Sequence, residues 1–317
     1  MNVLFSGRLV TELKEQLKNN FPKVNFTFTE NISEAKKYAK DADVLATYGG
    51  ELDHEVIEIA TNLKWVMVLS AGVDPLPTDL INERNILVTN VRGIHKTSMS
   101  EYAISMLLQV VRKEKEQIQL EKDKEWGKRK LKVDEITGKT MLVLGTGAIG
   151  QEVARLAKAF RMITYGVSRS GRDVEFFDKC FKISALEQIL PKADYVVGVL
   201  PSTKETKQLF TYEHFQLMKN DAIFLNMGRG DLVTSEDVIK AVRNDEIAHA
   251  ILDVFEEEPL PKDHPLWTEK HVTVTPHISG VSPYYEQRAI KIFQHNLEVF
   301  LTKKGEYVNK VDMNRGY

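Results

Sequence analysis

Through its first third the chain alternates short apolar runs with more polar stretches. Val3–Phe5, Val24–Phe28, Val44–Ala46, Trp65–Leu69 and Leu87–Thr89 are continuous apolar runs of strand length, suited to strands buried on both faces. The stretches between them, Leu9–Leu17, Ser33–Ala39, His54–Ala60 and Thr78–Ile81, read as amphipathic or polar helices. Strand-helix alternation of this kind implies right-handed crossovers and a parallel sheet with helices on both faces. A long helical pattern then starts near Thr97, with Ser98 or Ser100 as its cap. It runs through Met106, Leu107 and Val110 into a charged tail near Lys122.

Alternation resumes at Gly138-Lys-Thr140. Met141–Leu144, Ile163–Val167, Tyr195–Val199, Ala222–Asn226, Ala250–Val254 and Val272–Thr275 are the expected strands of a second α/β unit. The last helical stretch, Tyr284–Leu301, spaces Ile290, Phe293, Leu297 and Phe300 so that they face a core. No internal repeat or low-complexity tract interrupts the pattern.

One turn in the second unit adds chemistry. The apolar run Met141–Leu144 enters Gly145-Thr-Gly147-Ala-Ile-Gly150, and a helical pattern from Val153 to Phe160 leaves it. Strand, glycine turn and helix in that order form the dinucleotide fingerprint. Gly145 permits the tight turn, Gly147 the approach of a pyrophosphate, and Gly150 the close packing of helix on strand. The phosphates are expected on the positive end of the helix, where free N–H groups point at them. The first unit holds no such turn.

Bulk composition narrows the class. With 43% apolar residues, 28% charged residues and a net charge of −2, the chain reads as an ordinary globular protein with no nucleic-acid partner. The basic run Lys128-Arg-Lys130 lies near Glu114, Glu116, Glu121, Asp123 and Glu125, as a solvated helix face would. Cys180 is the only cysteine, so no disulfide can form within the chain and a reducing compartment is expected. With no signal-like start and no apolar run of membrane length, the reading is a cytoplasmic protein without a membrane partner.

Three further segments place polar groups just after expected strands, where open α/β sheets bind ligands. In Asn226-Met-Gly-Arg229-Gly230 an arginine between glycines can meet an anion, or be a solvated turn residue. In Leu252-Asp-Val-Phe-Glu-Glu-Glu258-Pro-Leu-Pro261 the carboxylate of Asp253 sits in the apolar end of a strand, either capping a neighbouring turn or binding an amide. Composition does not choose among the three glutamates. In Val272-Thr-Val-Thr-Pro-His277-Ile-Ser-Gly280 a histidine follows Pro at a strand end, a setting that no other histidine of the chain shares.

Taken with Ser70-Ala-Gly-Val-Asp74 and Leu200-Pro-Ser-Thr203 plus Thr206, these segments resemble the D-isomer-specific 2-hydroxyacid dehydrogenase family in order and spacing over nearly the whole chain. The resemblance implies a Rossmann cofactor domain, 95–283, inserted into a flavodoxin-like substrate domain, 1–94 and 284–317. Both would be doubly wound parallel-sheet α/β domains, with a cleft between them and a homodimer built from the cofactor domains. It identifies Arg229, Glu258 and His277 as the catalytic set, Glu258 because it directly precedes the Pro. His277 would protonate the alkoxide left by reduction of a 2-oxo acid. Glu258 would hold the imidazole and keep it protonated, and Arg229 would clamp carboxylate and ketone with its planar fork.

The resemblance also implies substrate contacts at Tyr48, at the N–H groups of Ala71, Gly72 and Val73, and at Arg229 and His277. Cofactor contacts are implied at Gly145, Thr146, Gly147, Ala148, Ile149, Gly150, Leu200, Pro201, Thr206, Met227, Gly228, His277 and Gly280. Asp253 would meet the nicotinamide carboxamide. The chemistry calls for no metal. Arg161 departs from the family, which commonly has glycine before the second strand.

An NAD site places Asp or Glu about twenty residues past the glycine turn, on the ribose 2′-OH. Here that position is Ser168, followed by Arg169-Ser170-Gly171-Arg172, a set suited to a 2′-phosphate. NADPH is therefore expected, held by Ser168, Arg169 and Ser170, with Arg172 as a further candidate. In the alternative, Asp173 binds an NAD ribose. The leading expectation is a reversible reductase of glyoxylate or hydroxypyruvate, giving the D-2-hydroxy acid. A 3-phosphoglycerate dehydrogenase is the second reading, fitted less well by an NADP-type pocket and a chain ending at Tyr317; a D-lactate-type enzyme is another. From a different class comes a dinucleotide-sensing binding protein. Formate dehydrogenase is disfavoured because that branch replaces the glutamate. Trp267 could either sense the substrate or pack beneath the Glu258 loop.

Overall fold

The computed structural model describes residues 1–73 and 76–313. They form two compact units, 1–94 with 282 onward, and 95–281. The strands are β1 Asn2–Phe5, β2 Asn25–Phe28, β3 Val44–Thr47, β4 Trp65–Val68, β5 Leu87–Asn90, β6 Thr140–Leu144, β7 Ile163–Ser168, β8 Lys179–Lys182, β9 Tyr195–Gly198, β10 Ile223–Asn226, β11 His249–Leu252 and β12 Val272–Val274. The helices are α1 Thr11–Asn20, α2 Ile32–Ala39, α3 His54–Ile59, α4 Thr78–Glu83, α5 Lys96–Val111, α6 Glu114–Lys122, α7 Ala148–Ala159, α8 Leu186–Ile189, α9 Tyr212–Gln216, α10 Ser235–Arg243 and α11 Tyr285–Thr302.

In the first unit five parallel strands run in the order β2-β1-β3-β4-β5, the flavodoxin-like arrangement. Alternate side chains divide its core in two. Leu4, Leu45, Val66 and Val68 face α2 to α4, while Val3, Phe5, Val44, Trp65 and Met67 face α1 and α11. On α11, Ile290, Phe293 and Leu297 are buried as expected, and Phe293 stacks on Trp65 with ring centroids 5.5 Å apart. Burial of each such side chain is worth about 2–3 kcal/mol, which fastens this late helix to the early sheet.

The second unit is a seven-stranded parallel sheet, β12-β11-β10-β9-β6-β7-β8, a Rossmann order extended by one strand. Met141, Val143, Val197 and Leu225 face α5 and α7; Leu142, Leu144, Val196 and Phe224 face α8 to α10.

Three expectations need correcting. The helix from Thr97 to Lys122 is two helices, broken where Lys113 takes a left-handed φ of 59°. Val111 is its last buried residue and α6 buries none, so no packing carries the helix through. Neither Ser98 nor Ser100 caps α5, whose cap residue is His95; their hydroxyls donate to backbone carbonyls instead. β8 was not anticipated, because its sequence Lys-Cys-Phe-Lys pairs only two apolar residues, both half-buried at a sheet edge. Arg161 follows α7 with a left-handed φ of 60°, the place where glycine is favoured.

Candidate active site

Because all strands of the second sheet are parallel, the segments that leave β6, β7, β9, β10, β11 and β12 emerge on one edge. Arg229, Glu258 and His277 follow three neighbouring strands, β10, β11 and β12. Their loops are built onto one another. Asn226 is buried at the end of β10, where its amide donates to Arg229 O at 2.9 Å and its Oδ1 accepts from Gly228 N. A side chain at Gly230 would lie 1.9 Å from Phe255 O, so only glycine lets the Arg229 loop pass against the Glu258 loop. The glycines around Arg229 thus reflect loop packing as much as ligand access. Arg229 itself is half-buried, and one guanidinium nitrogen donates to Gly228 O at 2.9 Å.

His277 and Glu258 meet directly, Nδ1 to Oε2 at 2.7 Å. Phe255 N donates to the other Glu258 oxygen at 2.9 Å, which chooses Glu258 from the three glutamates by geometry. With Nδ1 engaged, Nε2 is the imidazole atom left for a reacting group. His277 has a left-handed φ of 52°, a conformation that costs an L-residue about 1 kcal/mol and persists only where the surroundings enforce it.

Asp253 enforces it. Its carboxylate is 0% exposed and accepts from Thr275 Oγ1 at 2.6 Å, Ile278 N at 2.9 Å and Ser279 N at 2.9 Å. Of its two expected roles, the structure displays turn capping. Met227, 1% exposed and in the core, and the buried Gly228 support the loop from below. The hydroxyl of Thr206 is spent inside its own turn, donating to Pro201 O at 2.5 Å and accepting from Thr203 N at 2.9 Å.

The dinucleotide turn fits its ligand. Gly150 packs so closely that a side chain there would sit 1.8 Å from Gly145 O, whereas one on Gly147 would meet no protein atom. The backbone is therefore tight behind the turn and open in front of it, with Gly147 and Ala148 exposed at the start of α7. Thr146, Ile149 and Leu200 line the same edge; Pro201 is exposed and Gly280 half-exposed. Ser168 ends β7 as expected, and its hydroxyl accepts from Gly171 N at 3.2 Å. Ser170 accepts from Arg172 N at 3.4 Å, while Arg169, Arg172 and Asp173 are exposed. Arg169 lies near enough to Glu205 to help hold that carboxyl below its ordinary range, after the stronger effects of the Glu205 backbone N–H and the Thr203 hydroxyl.

In the first unit, Tyr48 follows β3. Glu51 Oε1 gathers Thr47 Oγ1 at 2.6 Å, Tyr48 N at 3.1 Å and Ser6 Oγ at 3.3 Å. Burial, then Glu286 and Glu51, raises the Tyr48 phenol above its ordinary value. Ala71, Gly72 and Val73 follow β4, turned by a bond from Ser70 Oγ to Gly72 O and one from Asn90 to Ala71 O. Asp74, the last residue of that motif, and Pro75 lie outside the described residues. Trp267 donates its indole N–H to Pro261 O at 2.8 Å, tying down the segment after Glu258. Asn226, Glu51 and Tyr102, whose hydroxyl reaches Thr275 at 2.7 Å, carry no role in the sequence reading. The polar Asn226 ending an apolar strand was the one available signal.

Among the described residues no group of His, Cys, Asp and Glu is placed to hold a metal, and no helix is long and apolar enough to cross a membrane. Residues 104–279 match the D-isomer specific 2-hydroxyacid dehydrogenase, NAD binding domain. A glyoxylate reductase of Thermofilum pendens is 34% identical over 273 residues, 84% of this chain and 79% of that one. A D-3-phosphoglycerate dehydrogenase of Methanocaldococcus jannaschii is 34% identical over 258 residues, 79% of this chain and 48% of that one. The solved structure of an NADPH-dependent glyoxylate/hydroxypyruvate reductase from Sinorhizobium meliloti, in complex with NADP and sulfate, is similar at a TM-score of 0.83 and 26% identity, covering 100% of this chain and 99% of that one.

Proposed function

Since the chain belongs to the D-isomer-specific 2-hydroxyacid dehydrogenase family, an NAD(P)-dependent class of oxidoreductases, we propose that it reduces a small 2-oxo acid with NADPH. Glyoxylate or hydroxypyruvate is the substrate and the 2-hydroxy acid the product, of D configuration from hydroxypyruvate, in a reversible reaction. The observation that carries the reading is the His277–Glu258 pair at 2.7 Å, which leaves Nε2 for the substrate oxygen. When bound, the nicotinamide supplies the hydride for the ketone carbon. His277 gives its Nε2 proton to the developing alkoxide and takes it back in oxidation, so reduction uses the imidazolium and oxidation the neutral ring. Glu258 holds the ring by Nδ1 and balances the charge of the imidazolium. Arg229 clamps the carboxylate and ketone oxygens.

The N–H groups of Ala71, Gly72 and Val73 bind the substrate carboxylate, and Tyr48 borders the substrate. Among the described residues these three N–H groups donate to no protein acceptor, which leaves them for an anion. Thr146 to Gly150 hold the pyrophosphate, with Leu200, Pro201 and Gly280 beside the dinucleotide. Ser168, Arg169 and Ser170 take the 2′-phosphate, since no carboxylate stands at the end of β7 to repel it. The protein acts as a homodimer built from the cofactor domains. Trp126 is 94% exposed, and Ile118 and Val133 are exposed as well, apolar side chains of this unit that a second copy would cover.

A panel of glyoxylate, hydroxypyruvate, pyruvate and a bulky 2-oxo acid, assayed with NADPH and NADH, tests the reading. Turnover fastest with the two small acids and NADPH is expected. Oxidation of 3-phosphoglycerate outpacing every reduction would favour the second reading, which rests on the Methanocaldococcus relative. NADPH binding with no turnover on any acid would make the chain a dinucleotide-binding protein.

A further inference from the structure

A partly buried chain of hydroxyls reaches the His277 turn from a helix distant in sequence. Tyr102, on α5, lies 2.7 Å from Thr275 Oγ1, and that oxygen lies 2.6 Å from Asp253 Oδ1. The direction of the bonds follows from donor counting. An ionised carboxylate only accepts, so the single Thr275 proton points to Asp253 and Tyr102 must donate to Thr275. Burial raises the Tyr102 phenol above its ordinary value, which keeps that proton in place. Beyond Asp253 the chain continues to the N–H groups of Ile278 and Ser279, the two residues after His277. His277 N in turn donates to Thr275 O at 3.1 Å, so Thr275 grips the turn through both its backbone and its side chain.

We propose that Tyr102 and Thr275 are positioning residues for His277, acting in series through Asp253 to hold the left-handed turn that aims the imidazole. The proposal rests on the reading of His277 as proton donor. It adds two residues that reach the imidazole only through Asp253 and the turn it holds. Without the Thr275 proton, Asp253 loses the donor that fixes its carboxylate plane, and the Ile278 and Ser279 N–H groups lose their fixed target. The peptide after His277 is then free to relax from its left-handed conformation. Glu258 would still bind the ring, but the direction of Nε2 would no longer be set. Since α5 also packs on α7, one helix supports both the dinucleotide turn and the proton donor.

Thr275→Val, which keeps the shape and removes the hydroxyl, should lower kcat for 2-oxo acid reduction about 10- to 100-fold, the scale of a small misplacement of a catalytic group. KM for the acid and the NADPH dissociation constant, read by fluorescence, should stay within about twofold, and the solvent isotope effect on kcat should rise as proton transfer limits the rate. Thr275→Ser should recover kcat to within about threefold, because the hydroxyl returns. Tyr102→Phe should cost about 3- to 10-fold, and adding it to Thr275→Val should cost little more, as members of one series are not additive. Unchanged kcat in Thr275→Val and Tyr102→Phe, or losses that multiply in the double variant, would overturn the proposal. His277→Ala separates the two levels. If that variant turns over normally, the proton-donor reading is wrong; if it is inactive while Thr275→Val is not, only the positioning chain is wrong.

Discussion

Two turns leave the same edge of the same sheet and are built in opposite ways. The His277 turn follows β12 and is held from beneath by a fully buried carboxylate with three donors. The Ser168–Arg172 turn follows β7, stands largely in solvent, and is held by two hydroxyls of its own, at 3.2 and 3.4 Å. Proton transfer is sensitive to fractions of an ångström, and under the proposed function its group would sit on rigid support. A phosphate is recognised by charge and by several donors at once, and exposed arginines that adjust to it serve well. Under the proposed function, the contrast separates chemistry from selection within one cofactor domain.

Breaking the rigid turn should cost most. His277→Ala should lower kcat for 2-oxo acid reduction by about 10²–10⁴, with NADPH affinity nearly unchanged, as steady-state kinetics and fluorescence titration would read. Changing the adaptable turn should redirect more than it destroys. Ser168→Asp should lower kcat/KM with NADPH by about 10- to 100-fold and raise it with NADH, since a carboxylate there accepts from a 2′-OH and repels a 2′-phosphate.

The far ends of two of the same elements serve as controls, where stability should change and turnover should not. His249 begins β11, the strand that ends next to Asp253. Burial above all, then Lys115, His271 and Lys113, pushes its imidazole down to about 3. A depressed folded-state value means that the unfolded chain binds the extra proton first. The stability that His249 contributes is therefore complete above about pH 6.5 and is lost as pH falls toward 3. Urea melts should show a loss of about 4–5 kcal/mol across that window, and His249→Asn should flatten it. At the end of α7 remote from the phosphates, Arg161→Gly should raise stability by about 0.5–1 kcal/mol by relieving its left-handed φ, with kcat unchanged.

Much of this was legible in the sequence because local rules govern it. Continuous apolar runs mark strands buried on both faces, and the glycine turn has meaning because a strand enters it and a helix leaves it. Parallel order then brings residues as distant as Arg229 and His277 to one edge. What escaped was set by contacts without local signature. β8 is held by pairing at an edge, not by burial. The end of α5 is fixed by the loss of packing after Val111, which helical spacing does not announce. Tyr102 and Thr275 lie 173 residues apart, and nothing near either one names the other. The sequence leaves Asp253 two possible partners, and the fold turns its oxygens to the backbone after His277.

In the proposed reaction His277, held by Glu258, protonates the alkoxide formed as NADPH reduces a small 2-oxo acid. Rapid mixing of the NADPH-loaded protein with glyoxylate, followed by loss of NADPH fluorescence in the parent and in His277→Ala, tests it most directly. Prompt loss of signal is expected in the parent and a slowing of at least about a hundredfold in the variant, with NADPH bound equally well by both. Equal rates in the two proteins, or no loss of signal in the parent, would contradict it.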